Sequence, residues 1–406
     1  MKSLDEQMGV IRRGVVQIVE ERELREKLGR GKRLRVKLGV DPTAADLHLG
    51  FTVVLRKLRQ FQDLGHQAVL IIGTYTAQVG DPSGRDKSRP QLAEETVVGN
   101  AQKYLEQAGK ILSMETLEVR YNGEWFKQMA FMDVIKLLAK STVARTLERE
   151  DFAARVAAGT PVYLHEMVYP LMQGYDSVMV KADVELGGSD QTFNLMVGRD
   201  LQRDAGQEPQ VCITMPLLEG LDGVRKMSKS FGNYVGINDA PNEMFGKVMS
   251  VSDELMWKYY ELVTDVPMEE IAEMRAGVAA GTFHPMEAKK RLGHALVRLY
   301  HGVAAAEAAR KEFERVFSAR EAPGAMAEVH VVPDGEGKID VVGLLVEYGM
   351  AGSKGEARRL IAQGAVQLGE ERVKEMKVAA PGVREAVLRA GKRRFVKVII
   401  EREVRA

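Results

Sequence analysis

The chain has 406 residues, 58 Lys+Arg against 57 Asp+Glu, 45% hydrophobic and 28% charged residues. That is enough for two or three domains with a real core, and the absence of an apolar run of about 18 residues excludes a membrane-spanning helix. One cysteine, Cys212, excludes an internal disulfide and, with seven scattered His, leaves no ligand set for a thiolate zinc site. A charged N-terminal stretch without a signal-type apolar block fits a cytoplasmic setting. The near-zero net charge hides an asymmetry. Lys338 to Ala406 holds 15 Lys/Arg against 9 Asp/Glu, and the rest of the chain is mildly acidic. A basic tail of this kind reads either as a solvated surface or as a site for a polyanion.

In chain order, "RVKLGV" at 35–40 predicts a short buried strand. "DPTAADLHLG" turns into a helix whose apolar spacing is kept by Phe51, Val54, Leu55, Leu58, Phe61 and Leu64. "QAVLIIGT" at 67–74 is a second buried strand, followed by the Gly/Pro/Ser-rich loop "YTAQVGDPSGRDKSRP". Helical patterns dominate 91–112 and 124–157. Next come "VMVKADVELGGSD", a helix from about Gln191, and the strand "VCITMPLL". Strands alternating with helices predict a parallel, doubly wound α/β sheet, which binds ligands beyond the carboxyl ends of its strands. Each unusual polar motif lies just after one of these strands.

Residues 236–325 lose the strand signal and read as an all-α domain. "EAPGAMAEVHVVPDGEGK" reads as a linker, with its core at 326–338. The tail, 339–406, reads as a separate basic α+β module. In it Ser353 and Glu356 form a capping-box pattern and Gly364 a helix stop.

Three polar loops share the predicted sheet edge. His48 and Gly50 stand at a helix start, where unpaired N–H groups and the helix dipole favour anions; His48 reads as a cap or as a donor to a phosphate or ribose oxygen. "GDPSGRDKSRP" supplies Arg85, Lys87 and Arg89, and "RKMSKSFGNYV" at 225–235 supplies Lys226 and Lys229 on a flexible basic loop. Convergent cations suit charge developing on a phosphoryl group. Tyr169, Gln173 and Asp176 are spaced four and then three apart, on one helix face. A buried Asp in "QGYDSVMV" would be costly without a partner, which points Asp176 toward function.

These motifs resemble a known family. "KMSKS" at 226–230 is similar to the signature loop of class I aminoacyl-tRNA synthetases, and "DPTAADLHLG" with Phe51 resembles their HIGH signature. "GDPSGR", "YPLMQGYD", "GGSDQ" and "HPMEAKKRL" narrow the resemblance to the bacterial tyrosyl type, and the tail resembles the αL-type RNA-binding domain first known from a ribosomal protein. The resemblance implies a Rossmann-like catalytic domain of the HUP type over 1–235, with a helical dimerisation insertion at about 121–168. It also makes 236–325 an anticodon-binding domain. It implies ATP with Mg2+ as a substrate complex without a resident metal, L-tyrosine and tRNA(Tyr) as the other partners, and a homodimer.

By the same resemblance, Asp176 accepts the substrate phenol and Tyr169 and Gln173 hold the ammonium. Gln191 assists near the carboxylate, with Asp41 and Asp81 toward the amine and adenosine end. Gly188 and Asp190 meet the ribose. His48, Gly50, Lys226, Met227, Ser228, Lys229 and Ser230 bind ATP, and Arg85 and Arg89 join the phosphate clamp. Lys354, Arg358, Arg359, Arg372 and Lys374, with Arg393 and Arg394 as additions, face tRNA. The sequence departs from the pattern twice. Phe51 replaces the second His of the HIGH signature, and Lys37 stands where many relatives carry a Tyr, either pairing with Asp176 or pointing away. A tryptophanyl enzyme, a nucleotidyltransferase of the same superfamily and a synthetase-derived RNA-binding protein remain as other readings.

Overall fold

The computed structural model describes residues 2–43, 46–83, 93–317, 327–369, 371–381, 383–391 and 394–401. The chain divides into two compact units, Met1–Ala306 and Glu307–Ala406.

The first unit is built on a six-stranded sheet of β1 (Gln17–Val19), β2 (Arg35–Val40), β3 (Gln67–Ile72), β4 (Glu118–Tyr121), β5 (Val184–Gly188) and β6 (Val211–Met215). The spatial order is β1-β6-β5-β2-β3-β4. All neighbours are parallel except β1, which runs antiparallel to β6 and closes one edge. The chain moves outward from β2 to β3 and β4, then returns to the other side of β2 for β5 and β6. The reversal leaves a crevice between the ends of β2 and β5, where ligands bind in doubly wound sheets. The central strands are β-branched and apolar because both faces are covered: Ala68 to Ile72 and Val211 to Met215 are buried throughout.

The helices of this unit are α1 (Leu4–Arg12), α2 (Glu21–Gly29), α3 (Leu49–Asp63), α4 (Thr76–Val79), α5 (Glu94–Ala108), α6 (Gly123–Phe126), α7 (Phe131–Leu138), α8 (Val143–Leu147), α9 (Glu150–Ala157), α10 (Leu164–Val180), α11 (Thr192–Asp204), α12 (Pro241–Met249), α13 (Leu255–Val263), α14 (Met268–Ala279) and α15 (Pro285–His301). Inside α3, Leu55, Leu58 and Phe61 are buried as the spacing predicts, whereas Phe51 faces out. Buried Lys57 sends its ammonium to the carbonyls of Val10, Ile11 and Arg13, capping the end of α1. The all-α region packs on the sheet domain through α13 against α3 and on itself through α12 against α15.

The helical pattern over 124–157 is present as four short helices, α6 to α9, and it is preceded by β4, which is too short and too polar to stand out in the sequence. β1 is likewise three residues long and polar at its start.

The second unit has β7 (Glu328–Val331), β8 (Lys338–Asp340), β9 (Val366–Leu368), β10 (Glu371–Arg372), β11 (Lys377–Ala379), β12 (Glu385–Ala390) and β13 (Arg394–Ile400). Its sheets are β10-β9-β12-β13-β7 and β11-β8. α16 (Val303–Phe317) spans the division between the units, and α17 (Val341–Glu347) and α18 (Lys354–Ala362) pack on each other beside the sheets. The stretch 326–338, expected as a linker, contains β7, which pairs in parallel with β13, and Val329 is in the core. Its Pro/Gly composition reflects the turn between β7 and β8.

Candidate active site at the switch point

A cleft of about 410 Å³ opens beyond the carboxyl ends of β2, β3, β5 and β6. It is lined by Asp41, His48, Gly50, Asp81, Tyr169, Gln173, Asp176, Gly188, Asp190 and Gln191, and by Lys226 to Ser230. Residues predicted from five separate motifs therefore meet in one place. Arg85, Lys87 and Arg89 lie outside the described residues.

The closed end is formed by α10. Asp176 is 3% exposed. Its Oδ1 accepts from the Trp125 indole N–H at 2.9 Å and its Oδ2 from the Asn122 amide at 3.3 Å. Burial pushes the carboxyl up to about 7, against the opposing pull of Lys37 and the two donors. About two helical turns away, the Tyr169 hydroxyl donates to Asp41 Oδ2 at 2.9 Å, and Thr76 Oγ1 donates to Asp41 Oδ1 at 2.7 Å. Gly73 makes this possible: a Cβ there would sit 2.0 Å from Asp41 Oδ1.

The side wall is a chain of amides. The Asn194 amide N–H donates to Gln173 Oε1 at 3.1 Å and to Gln191 Oε1 at 2.9 Å. Gln191 Nε2 donates to Asp81 Oδ2 at 2.9 Å. Arg149, buried at 5% exposure, fixes this wall by donating to Ser83 Oγ at 2.6 Å and Asn194 Oδ1 at 3.1 Å. Sequence reasoning missed Asn122, Trp125, Asn194 and Arg149. The available signal for the first two was an Asn and a Trp directly after a strand end; Arg149 sits in a segment that reads as surface helix.

The open end carries the cations. His48 caps α3, its Nδ1 accepting from the Gly50 N–H at 3.1 Å. Nδ1 as acceptor places the proton on Nε2. Burial, with Lys229 nearby, lowers its pKa to about 4, so the ring is neutral. Of the two sequence readings of His48, the cap is present, made through Nδ1, and it leaves the Nε2–H as the ring's donor. A Cβ at Gly50 would lie 2.9 Å from the His48 ring. Lys229 Nζ meets Asp46 Oδ2 at 2.9 Å. The basic loop, expected as flexible, is held from beneath: Asn233 Oδ1 accepts from the Ser228 N–H at 2.9 Å, and its amide donates to Asp222 at 2.9 Å. Met227 is buried beneath it and Lys226 is exposed.

Lys37 neither pairs with Asp176 nor points away. It is fully buried under α10, its Nζ 2.9 Å from Glu185 Oε1.

In the second unit, Lys354, Arg358, Arg359, Arg372 and Lys374 are all exposed. Ser353 Oγ caps α18 at the Glu356 N–H, 3.2 Å, whereas Glu356 reaches back to the Gly352 N–H, 2.8 Å, one residue earlier than a strict capping box requires. Gly364 ends the helix at φ +67°. Arg394 is occupied by the Met350 carbonyl and lies 3.5 Å from Glu356; Arg393 lies outside the described residues.

The cleft at the switch point, with a capped helix start on one side and a strand-following lysine loop on the other, places the chain among nucleotide-using enzymes of the class I synthetase fold. Residues 30–318 match the family described as tRNA synthetases class I (W and Y), and residues 324–398 match the tyrosine–tRNA ligase SYY-like C-terminal domain. The chain belongs to the tyrosine–tRNA ligase family of class I aminoacyl-tRNA synthetases. It is 52% identical over 396 residues to the tyrosine–tRNA ligase of Moorella thermoacetica, covering 97% of this chain and 95% of the relative. It is 50% identical over 394 residues to that of Thermotoga maritima, covering 97% of both. Solved tyrosyl-tRNA synthetases share the fold. A C-terminally truncated Aspergillus nidulans mitochondrial enzyme has a TM-score of 0.64 at 22% identity, covering 78% of this chain and 95% of that one. The Archaeoglobus fulgidus enzyme complexed with L-tyrosine has a TM-score of 0.62 at 21% identity, covering 76% and 100%.

Proposed function

We propose that the cleft takes tyrosine at its closed end and ATP at its open end, and that the chain ligates tyrosine to tRNA(Tyr). The observation that carries this is the buried acceptor Asp176 at the floor and the lysine loop at the mouth of the same cleft. Tyrosine lies with its phenol on Asp176 and its ammonium among Tyr169, Gln173 and Asp41. Gln191 and Asp81 are disposed toward the carboxylate and adenosine side, and Gly188 and Asp190 toward the ribose. The tyrosine carboxylate attacks the α-phosphate of ATP. A C–O–P linkage forms, the bond to the bridging oxygen breaks, and pyrophosphate leaves. The 3′-terminal ribose of tRNA then takes the tyrosyl group and releases AMP. No side-chain nucleophile is required; orientation and charge stabilisation by Lys226, Lys229 and neutral His48 carry the first step.

In this reading magnesium arrives with the nucleotide, as part of the substrate complex. No described helix is long and apolar enough to cross a membrane. The insertion is the dimer surface. On α7 Phe131 is 77%, Met132 59% and Ile135 40% exposed, an apolar face suited to a second copy. The exposed basic residues of α18 and β10 bind tRNA phosphates. Tyrosine-dependent ATP–pyrophosphate exchange tests the reading. Exchange with tyrosine, and not with phenylalanine or tryptophan, is expected; exchange with tryptophan or none with tyrosine overturns it.

A further inference from the structure

Lys37 and Glu185 are register partners on adjacent parallel strands, and both are fully buried. The three Nζ hydrogens of Lys37 are all directed at acceptors: Glu185 Oε1 at 2.9 Å, the Gln173 carbonyl at 2.8 Å and Ser177 Oγ at 2.7 Å. Glu185 Oε1 accepts also from Gln173 Nε2 at 3.1 Å, and Oε2 from Ser177 Oγ at 3.0 Å and from the Gln210 amide. A buried ion pair contributes little stability compared with a well-packed apolar pair. What this pair does supply is polarity. An ionised carboxylate only accepts hydrogen bonds, so the side of Gln173 that meets Glu185 must be its NH2 group. The amide oxygen is thereby turned to the other side, where the Asn194 amide N–H already donates to it. An ammonium is attracted by an amide oxygen and repelled by an amide NH2.

We propose that Glu185, held by Lys37, is a positioning residue that sets the Gln173 amide oxygen toward the substrate ammonium. The proposal rests on the reading of Gln173 as an ammonium ligand. It makes Lys37 part of the amine-binding machinery rather than of phenol recognition.

The probes are L-tyrosine and 3-(4-hydroxyphenyl)propionate, which lacks only the amine. Lys37 donates to the same Oε1 that meets Gln173, so a lone Glu185→Gln keeps its amide oxygen at that position; the paired neutral variant Lys37→Met/Glu185→Gln, which leaves no unpaired buried cation, frees that amide to donate as well as accept and leaves Asn194 as the remaining constraint on Gln173. Tyrosine affinity should fall roughly tenfold or more, as for removal of a hydrogen bond to a charged group. Affinity for the deaminated analogue and KM for ATP should stay within about twofold, the small change expected where no interaction is removed. In a Gln173→Met background, the paired variant should cause no further fall in the ratio of the two affinities, since the effect passes through Gln173. The lone Glu185→Gln, in which Lys37 keeps an acceptor opposite the Gln173 NH2 group, should show a smaller selective fall than the pair. Equal falls for both ligands, or unchanged tyrosine affinity, overturn the proposal. If Gln173→Met alone leaves the ratio unchanged, the ammonium reading itself fails. If neither Glu185 variant folds, the pair is a determinant of the fold and the positioning role is withdrawn.

Discussion

Trp125 and Asp176 meet at the closed end of the cleft, the indole N–H donating to Oδ1 at 2.9 Å. Trp125 belongs to α6 and Asp176 to α10, so the bond joins the insertion after β4 to the helix that forms the floor. The carboxyl is almost without solvent, yet it is positioned as an acceptor. Burial raises its pKa to about 7, and the indole and the Asn122 amide oppose that rise. The floor therefore holds a poised acceptor whose charge the fold tolerates rather than favours.

Replacing that carboxyl should trade function for stability. The native pKa of Asp176 lies above its ordinary value of 3.8, near 7. Between those values the native chain binds more protons than the unfolded chain, so this group's contribution is fully present below about pH 4 and is lost as pH rises toward 7. Asp176→Asn removes the dependence. Its unfolding free energy from urea titration, relative to the parent, should be higher at pH 8 than at pH 5 by on the order of a few kcal/mol. Tyrosine activation should fall by at least about tenfold. Equal pH dependence of the two chains would show that Asp176 does not titrate in this range.

Trp125→Phe should move a titration rather than abolish activity. The indole donor favours the ionised carboxylate, so its removal raises the Asp176 pKa further. The acid limb of kcat/KM for tyrosine exchange, near pH 7 in the parent, should shift upward in the variant. A lower plateau with an unmoved limb would make Trp125 a packing residue only.

The sequence reveals the site's ends better than its walls. Tyr169, Gln173 and Asp176 are legible because helical spacing puts them on one face, and Lys226 and Lys229 because a basic loop follows an apolar strand. The walls are not legible because they depend on long-range pairing. Arg149 meets Ser83 from 66 positions away, and Asn122 meets Asp176 from 54. β7 was hidden for the same reason: its partner, β13, lies at the other end of the module, and its local composition is that of a turn. Lys37 reads as an oddity in a buried strand until Glu185 is found beside it.

Phe51 is 43% exposed, and its ring lies 4.7 Å from that of His48. A His in its place gives up little burial. Phe51→His should leave stability within about 0.5 kcal/mol, as for surface substitutions, and keep or raise the adenylation rate in pyrophosphate exchange. A large drop in thermal midpoint would place Phe51 in a packed interface that the isolated chain does not show.

Lys229 is bonded to Asp46 at the mouth of the cleft, in a pair exposed enough that it contributes at most about 1 kcal/mol. It can be released toward a polyphosphate at small cost. Lys229→Ala should lower kcat for exchange by at least about tenfold with a smaller change in KM for ATP, the signature of an interaction made in the transition state. An unchanged kcat would remove Lys229 from the chemistry.

The C-terminal unit should be separable from adenylation. Its strands pair among themselves, and its core of Val329, Ile339, Leu345, Ile361, Leu388 and Val398 is its own. Because β7 is part of that sheet, a cut after Lys338 would strand it; a chain ending at residue 320 removes the module whole. Lys354 and Arg358 share a face of α18 with Arg359 beside them, and the Arg372 guanidinium lies near Gly364 at the end of the same helix. These side chains are exposed, and contacts of such cations with phosphates hold RNA without reading its bases and weaken steeply with salt. The shortened chain should keep ATP–pyrophosphate exchange near the parent's value and lose tRNA charging chiefly through KM. The slope of log affinity for tRNA against log salt should flatten. In the full chain Arg358→Ala with Arg359→Ala should reduce that slope by about two, one for each phosphate no longer neutralised. Equal charging by the two chains would refute the RNA-binding role. Loss of exchange in the shortened chain would mean that the module supports the catalytic body, and its basic face would then need another explanation.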